Sequence, residues 1–307
     1  MKKYKICKIL LVILAIFLCM AFYELLGICV AYKKQPEVSN TTKKETKNGS
    51  WNECSENTER AVIIEKNPEA LLQRVRLIKN AKKEIILSTF AFQSDESGKL
   101  ILGALHDAAD RGVHIRLLVD GMESWIDMEG NPYFYGLSSH ENVEIKLYNK
   151  ANPLKPWKMM GRMHDKYLIA DGKRYILGGR NTYNYFLGDF PGHKNYDRDV
   201  LVVCDEPEKE NSVNQLLEYF ETIWEQEDSG YFHDNKKLAN RKSVKNAVLE
   251  LQNSYQKYFE ENKERICDTD YTDETFETEK IALVSNPIHT GSKEPVVWYQ
   301  LGAVSYT

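Results

Sequence analysis

A histidine and a lysine stand two residues apart at His164 and Lys166, followed by Asp171, the pair Gly178 and Gly179, and Asn181. All lie in one stretch, MHDKYLIADGKRYILGGRN. Side chains alternate along an extended strand, so His164 and Lys166 project from one face and Asp171 from the other if the strand stays regular. A neutral imidazole is a nucleophile, and an ammonium beside it suits a phosphoryl group as a point-charge clamp. Gly178 and Gly179 allow close approach of the backbone to a ligand. Asn181 stands where a helix is expected to begin, with free N–H groups for an anion. Each part suits a phosphodiester.

Such a string needs a scaffold, and the flanking sequence predicts an alternation of strands and helices. AVIIE (Ala61 to Glu65) reads as a strand, PEALLQRVRLIKNA as an amphipathic helix opened by Asn67 and Pro68, and EIILSTFAF as a buried strand. The helix GKLILGALHDAADRG, stopped by Gly112, and the strand VHIRLLVD come next. A less regular stretch from Gly121 to Leu137 precedes the strand VEIKLYN and the loop KANPLKPWKMMGR, which leads into the motif. Beyond it, DRDVLVVCD reads as a strand. EKENSVNQLLEYFETIWEQ reads as an amphipathic helix with Leu216, Phe220, Ile223 and Trp224 on one face.

Between Ile9 and Tyr32 the only charge is Glu24, and a helix of about 20 apolar residues spans a bilayer core. Residues 1–32 are therefore expected to be an uncleaved membrane anchor, with a signal peptide as the competing reading. Lysines flank the segment on both sides, so charge bias says little about orientation; an extracytoplasmic soluble part is favoured. Residues 33–59 lack sustained periodicity and read as a polar linker. From Lys33 onward the chain holds 37 basic and 44 acidic residues, a poor generic match for a nucleic-acid duplex. Cys7, Cys19 and Cys29 belong to the apolar region, and Cys54, Cys204 and Cys267 lie far apart. Neither they nor His106, His114, His140, His233 and His289 show metal-ligand spacing, so no metal or other cofactor is expected.

The string of His164, Lys166, Asp171, Gly178, Gly179 and Asn181 resembles the signature of the phospholipase D superfamily. The flanks LLQRVRLIKNAKKEIILSTFAFQSDESG, AADRGVHIRLLVDG, GGRNTYNYF and DRDVLVV resemble its cardiolipin synthase branch. The resemblance implies an α-β-α sandwich around a mixed sheet, preceded here by one transmembrane helix. It also implies a phosphatidyltransferase or phosphodiesterase working through a phosphohistidine. Carried over by position, His164 is a catalytic histidine, Lys166, Gly179 and Asn181 hold substrate phosphate, and Asp171, grouped with the catalytic set, is mainly a structural support. The carboxylate that orients the histidine is expected on the next strand, at Asp197, with Asp199 the alternative. His193 is expected to face solvent.

Near the C-terminus, KIALVSNP followed by KEPVVWYQLGAVSYT repeats in outline RAVIIEKNP followed by EALLQRVRLIKNA. This suggests a lobe over residues 60–230, a helical connector over 231–279 and the start of a truncated second lobe over 280–307. In the family two lobes each supply one motif to a shared cleft, whereas this chain carries one. The expected partners are phospholipid headgroups, the membrane, and a second lobe or another copy of the chain. A single-motif nuclease acting as a homodimer and a phosphate-binding lobe without turnover are the alternatives.

Overall fold

The computed structural model describes residues 2–33, 59–155, 158, 161–204, 211–233, 237–278, 281 and 283–285. Helix α1 (Lys2–Lys33) contains the stretch Lys5–Leu26, long and apolar enough by length and composition to cross a membrane. The expected linker, apart from its ends, and nearly all of the expected second-lobe start lie outside the described residues.

The remaining elements follow in the order β1 (Glu59–Ile64), α2 (Asn67–Asn80), β2 (Glu84–Thr89), α3 (Glu96–Asp110), β3 (His114–Asp120), α4 (Gly121–Asp127), α5 (Pro132–Ser138) and β4 (Val143–Tyr148). The chain continues through β5 (Tyr167–Ala170), β6 (Arg174–Gly178), β7 (Asp199–Cys204), α6 (Ser212–Trp224), β8 (Ser229–Tyr231), α7 (Lys242–Glu261), α8 (Lys263–Cys267) and β9 (Phe276–Glu277). The strands form one mixed sheet in the order β8-β4-β3-β2-β5-β6-β7-β1-β9. β2, β3 and β4 run parallel, as βαβ crossovers require, and β5 turns the direction by pairing antiparallel with β2.

Both faces of the sheet are covered by helices, and the strand period of two sorts the core accordingly. Ile85, Leu87, Ile115, Leu117 and Val119 point to a thick layer built from α2, α3, α5, α7 and α8. Ile86, Leu118, Tyr167, Ile169 and Val202 point the other way, where α6 lays Val213, Leu216, Phe220, Ile223 and Trp224 over them. The parallel strands consequently read as near-continuous apolar runs.

Local chemistry explains where the elements start. The Asp95 carboxylate accepts from the Gly98 N–H (3.0 Å) to cap α3, and Asn211 caps α6 through the Asn214 N–H (2.8 Å). The stretch from Gly121 to Leu137, read from sequence as irregular, is helical over α4 and α5. Asp120 caps the first and Asn131 with Pro132 opens the second, but at seven residues each helix is too short to display a clear apolar period.

Residues 238–277, expected as a connector, pack back on the lobe. α7 sets Val244, Ala247, Leu251, Tyr255 and Phe259 at helical spacing along its buried side. Gly103 of α3 lets this helix in closely: a β-carbon there would lie 2.6 Å from the Leu251 carbonyl oxygen. Strand β9 pairs with β1 at the sheet edge.

Candidate active site

The C-terminal ends of β2 and β3 meet the N-terminal ends of β5 and β7 and the C-terminal end of β6 on one edge of the sheet. In open α/β sheets the crevice beyond the carboxyl ends of parallel strands is where ligands bind. Here it coincides with the seam between β2 and β5, where parallel pairing gives way to antiparallel.

His164 and Lys166 lie in extended backbone just before β5. Met163, Tyr167 and Ile169 pack beneath α6, and the Asp165 carboxylate accepts from the Tyr219 hydroxyl of that helix (2.8 Å). The alternation leaves His164 and Lys166 together on the opposite side. His164 is exposed, with its ring set edge-on against Phe90 (4.7 Å between centroids) at the end of β2. Partial burial, followed by the positive charges of Lys166 and Arg162, pulls its pKa down to about 4. The imidazole is therefore neutral at physiological pH. Lys166 is buried, its Nζ 5.4 Å from the same Phe90 ring and donating to the His164 carbonyl (2.7 Å). Burial lowers its pKa to about 8, opposed by the charges of Asp165, Asp197 and Asp120.

The approach to His164 is anchored by residues that the sequence did not single out. The buried Asp120 carboxylate accepts from Arg162 Nε (2.9 and 3.0 Å) and from the Met163 N–H (3.0 Å) while capping α4. The available signal was a charged residue closing the apolar run RLLVD, with an arginine two residues before the histidine. Asp165 was passed over as well. Its burial raises its carboxyl pKa to about 6, with the Tyr219 bond and Lys166 acting against the rise.

Asn181 joins the same place. Its Oδ1 accepts from the Ala91 N–H (3.2 Å), next to Phe90. No helix begins there, contrary to the sequence reading. Thr182 instead bridges Phe92 in a short parallel pairing, and turns follow. The backbone between β6 and Asn181 is tied to both neighbours: the Gly178 N–H donates to the Lys166 carbonyl (3.1 Å) and the Gly179 N–H to the Arg198 carbonyl (3.3 Å). A β-carbon on Gly179 would overlap the Asp197 carboxylate, so a larger residue there would push that exposed side chain away from the backbone.

Asp197 is exposed and accepts from the N–H of its neighbour Arg198 (2.7 Å). Asp199, the alternative orienting acid, is buried between two guanidinium groups, Arg74 at 2.9 Å and Arg180 at 3.3 Å. That pairing commits it to holding α2, β7 and the segment after β6 together, so the alternative is set aside. Asp171 is not brought into the cleft. It lies in the turn between β5 and β6 with φ of +54°, where its carboxylate accepts from the N–H groups of Lys82 (2.8 Å), Lys83 (2.7 Å) and Glu84 (3.0 Å) at the start of β2. His193 is exposed in a loop and bonds Asn195 (2.9 Å).

Residues 74–224 match the family model described as cardiolipin synthase, PLD-like domain. These residues belong to the phospholipase D superfamily, on its cardiolipin synthase-like branch. The superfamily is one of phosphodiesterases and phosphatidyltransferases. The chain is 30% identical over 212 residues to an uncharacterized protein of Helicobacter pylori, a match covering 64% of this chain and 39% of that one. It is 29% identical over 171 residues to cardiolipin synthase C of Escherichia coli, covering 51% of this chain and 34% of the relative. The match thus spans well under half the length of either relative. Among solved structures it is similar to phosphatidylserine synthase of Haemophilus influenzae, at 18% identity and a TM-score of 0.48, covering 72% of this chain and 48% of that one.

Proposed function

We propose that the chain is a membrane-anchored phospholipase D-type enzyme acting on phospholipid phosphodiesters, with His164 as the group that reacts at phosphorus. The observation that carries this reading is the placement of a neutral, exposed imidazole beside a buried ammonium on one aromatic platform, His164 and Lys166 against Phe90.

In the proposed first step a His164 ring nitrogen forms a bond to phosphorus, the bond to the leaving alkoxide breaks, and that oxygen takes a proton from a second acid. In the second step an alcohol or water oxygen attacks, the P–N bond breaks, and the proton of the attacking hydroxyl returns to the same group. Lys166 and the Asn181 amide face the nonbridging oxygens, whose charge grows in the transition state. The second acid is a histidine from another motif of the same kind, supplied by a further lobe or a second copy. Asp197, whose charge reaches Lys166, serves as the carboxylate that orients the histidine, and the Gly179 backbone closes the phosphate side. Helix α1 holds the cleft near its substrate, a role supported by its length and composition.

The test is to incubate the membrane-reconstituted protein with phospholipid carrying a labelled phosphate and quench in base, which preserves a phosphohistidine. Labelled protein and turnover are expected, both lost by three or more orders of magnitude, roughly, in His164→Ala. A His164→Ala protein that still turns over at near wild-type rate removes the assignment.

A further inference from the structure

The rim of the cleft carries large apolar side chains turned outward. Trp125 and Ile126, adjacent on α4, are 69% and 65% exposed, and Leu154, on the loop before the motif, is 79% exposed. The acids of α4 are half-buried instead, with Glu123 3.5 Å from Arg162. The helix and the loop form one surface. A β-carbon on Gly121, the first residue of α4, would lie 2.7 Å from the Lys150 Cα, and Asn149 ties the base of the loop to the carbonyls of Lys158 and Gly161 (both 2.6 Å). Arg162 follows that base, bonded to the residue that caps α4 and two positions from His164.

Two observations point to what covers this surface. The Leu154 carbonyl accepts from the hydroxyl of Tyr23, within the apolar span of α1 (3.2 Å), so the loop sits against the helix fit to cross a bilayer. Lys155, next to Leu154, is exposed and complements anionic headgroups. An indole beside a branched aliphatic side chain, with lysine at the margin, has the composition of a membrane–water interface.

We infer that Trp125, Ile126 and Leu154 dock on the surface of the same bilayer that anchors α1, seating the mouth of the cleft at headgroup depth. The inference rests on the membrane reading proposed above and adds the face through which the lobe meets the lipid. Lipid then enters the cleft from the α4 side, past Arg162, without leaving the interface.

The full chain, reconstituted at one copy per nanodisc, tests this with lipids brominated along the acyl chain, which quench tryptophan on contact. Wild type is expected to show a quenchable component that disappears in Trp125→Phe. An unchanged quenched fraction in that variant overturns the docking face. So does an indole that becomes shielded only in discs holding two copies, which assigns the surface to self-association.

A second readout uses Trp125→Ser with Ile126→Ser. KM for bilayer phospholipid is expected to rise by at least about tenfold, while turnover of soluble bis(4-nitrophenyl) phosphate stays as in wild type. Equal loss on both substrates counts against docking. If wild type turns over neither substrate, the chemical reading fails, and the quenching experiment still decides the docking face.

Discussion

The Asp120 carboxylate holds the backbone N–H of Met163 at 3.0 Å, one residue before His164. The same carboxylate binds Arg162 and caps α4, so the end of a parallel strand sets the path of the segment that presents the histidine. Asp120→Ala leaves Arg162 with only the more distant Glu123, at 3.5 Å, and the Met163 N–H unsatisfied. Loss of one partner of a buried pair costs about 3–5 kcal/mol. Asp120→Asn, which can still accept from the main chain, is expected to lose less. Denaturant unfolding of both variants checks this; an Asp120→Ala protein within about 0.5 kcal/mol of wild type contradicts it.

The pH dependence follows from the two perturbed groups of the motif. Lys166, lowered to about 8, gives up its charge as pH rises through that value, so kcat/KM should fall along an alkaline limb near pH 8 in the free enzyme. His164, lowered to about 4 from 6.5, stays neutral throughout the working range. Between those values the unfolded chain binds its proton more tightly than the folded one. The associated stability is therefore complete above about pH 6.5 and lost as pH falls through about 4. An alkaline limb close to the ordinary lysine value would show that Lys166 is not desolvated.

Asp171 anchors the β5–β6 turn to the start of β2 through three main-chain N–H groups. Asp171→Asn keeps a residue at ease with positive φ but loses the charge that strengthens those bonds, for a cost of about 1–3 kcal/mol. A melting temperature lower by several degrees is expected, with turnover retained below the transition. A variant that melts like wild type yet is inactive would make Asp171 catalytic.

Asp199 and Asp197, two residues apart, should respond differently. Asp199→Asn strands two buried guanidinium groups, Arg74 and Arg180, and is expected to destabilise the fold by about 3–5 kcal/mol. Asp197→Asn, at an exposed position beside Gly179, should leave the melting temperature nearly unchanged and lower kcat. The pair of melts and rates separates the two; similar melting losses in both would place Asp197 in the framework.

The elements legible in the sequence were those with a long period or a clear stop. α3 ends at Gly112, with φ of +87°, and α6 buries the residues that its spacing had marked. His164 and Lys166 stood out because they carry chemistry at short spacing. Asp120, Phe90 and Arg162 did not, because each matters through a neighbour distant in sequence; Asp120 and Met163 are 43 positions apart. The helix expected at Asn181 failed for a related reason. The segment after β6 found its main-chain partners across the cleft, at Ala91 and Gln93, rather than within itself.

Lys166 donates to the carbonyl of His164 at 2.7 Å, which engages one of the three N–H bonds of the ammonium and leaves two for a ligand. The main chain thus aims the ammonium through a neutral oxygen, without neutralising its charge. An anionic oxygen gains more from the remaining N–H bonds of an ammonium group than an uncharged ester oxygen does. Phosphodiesters are therefore expected to bind more tightly than phosphotriesters and carboxylic esters of the same shape.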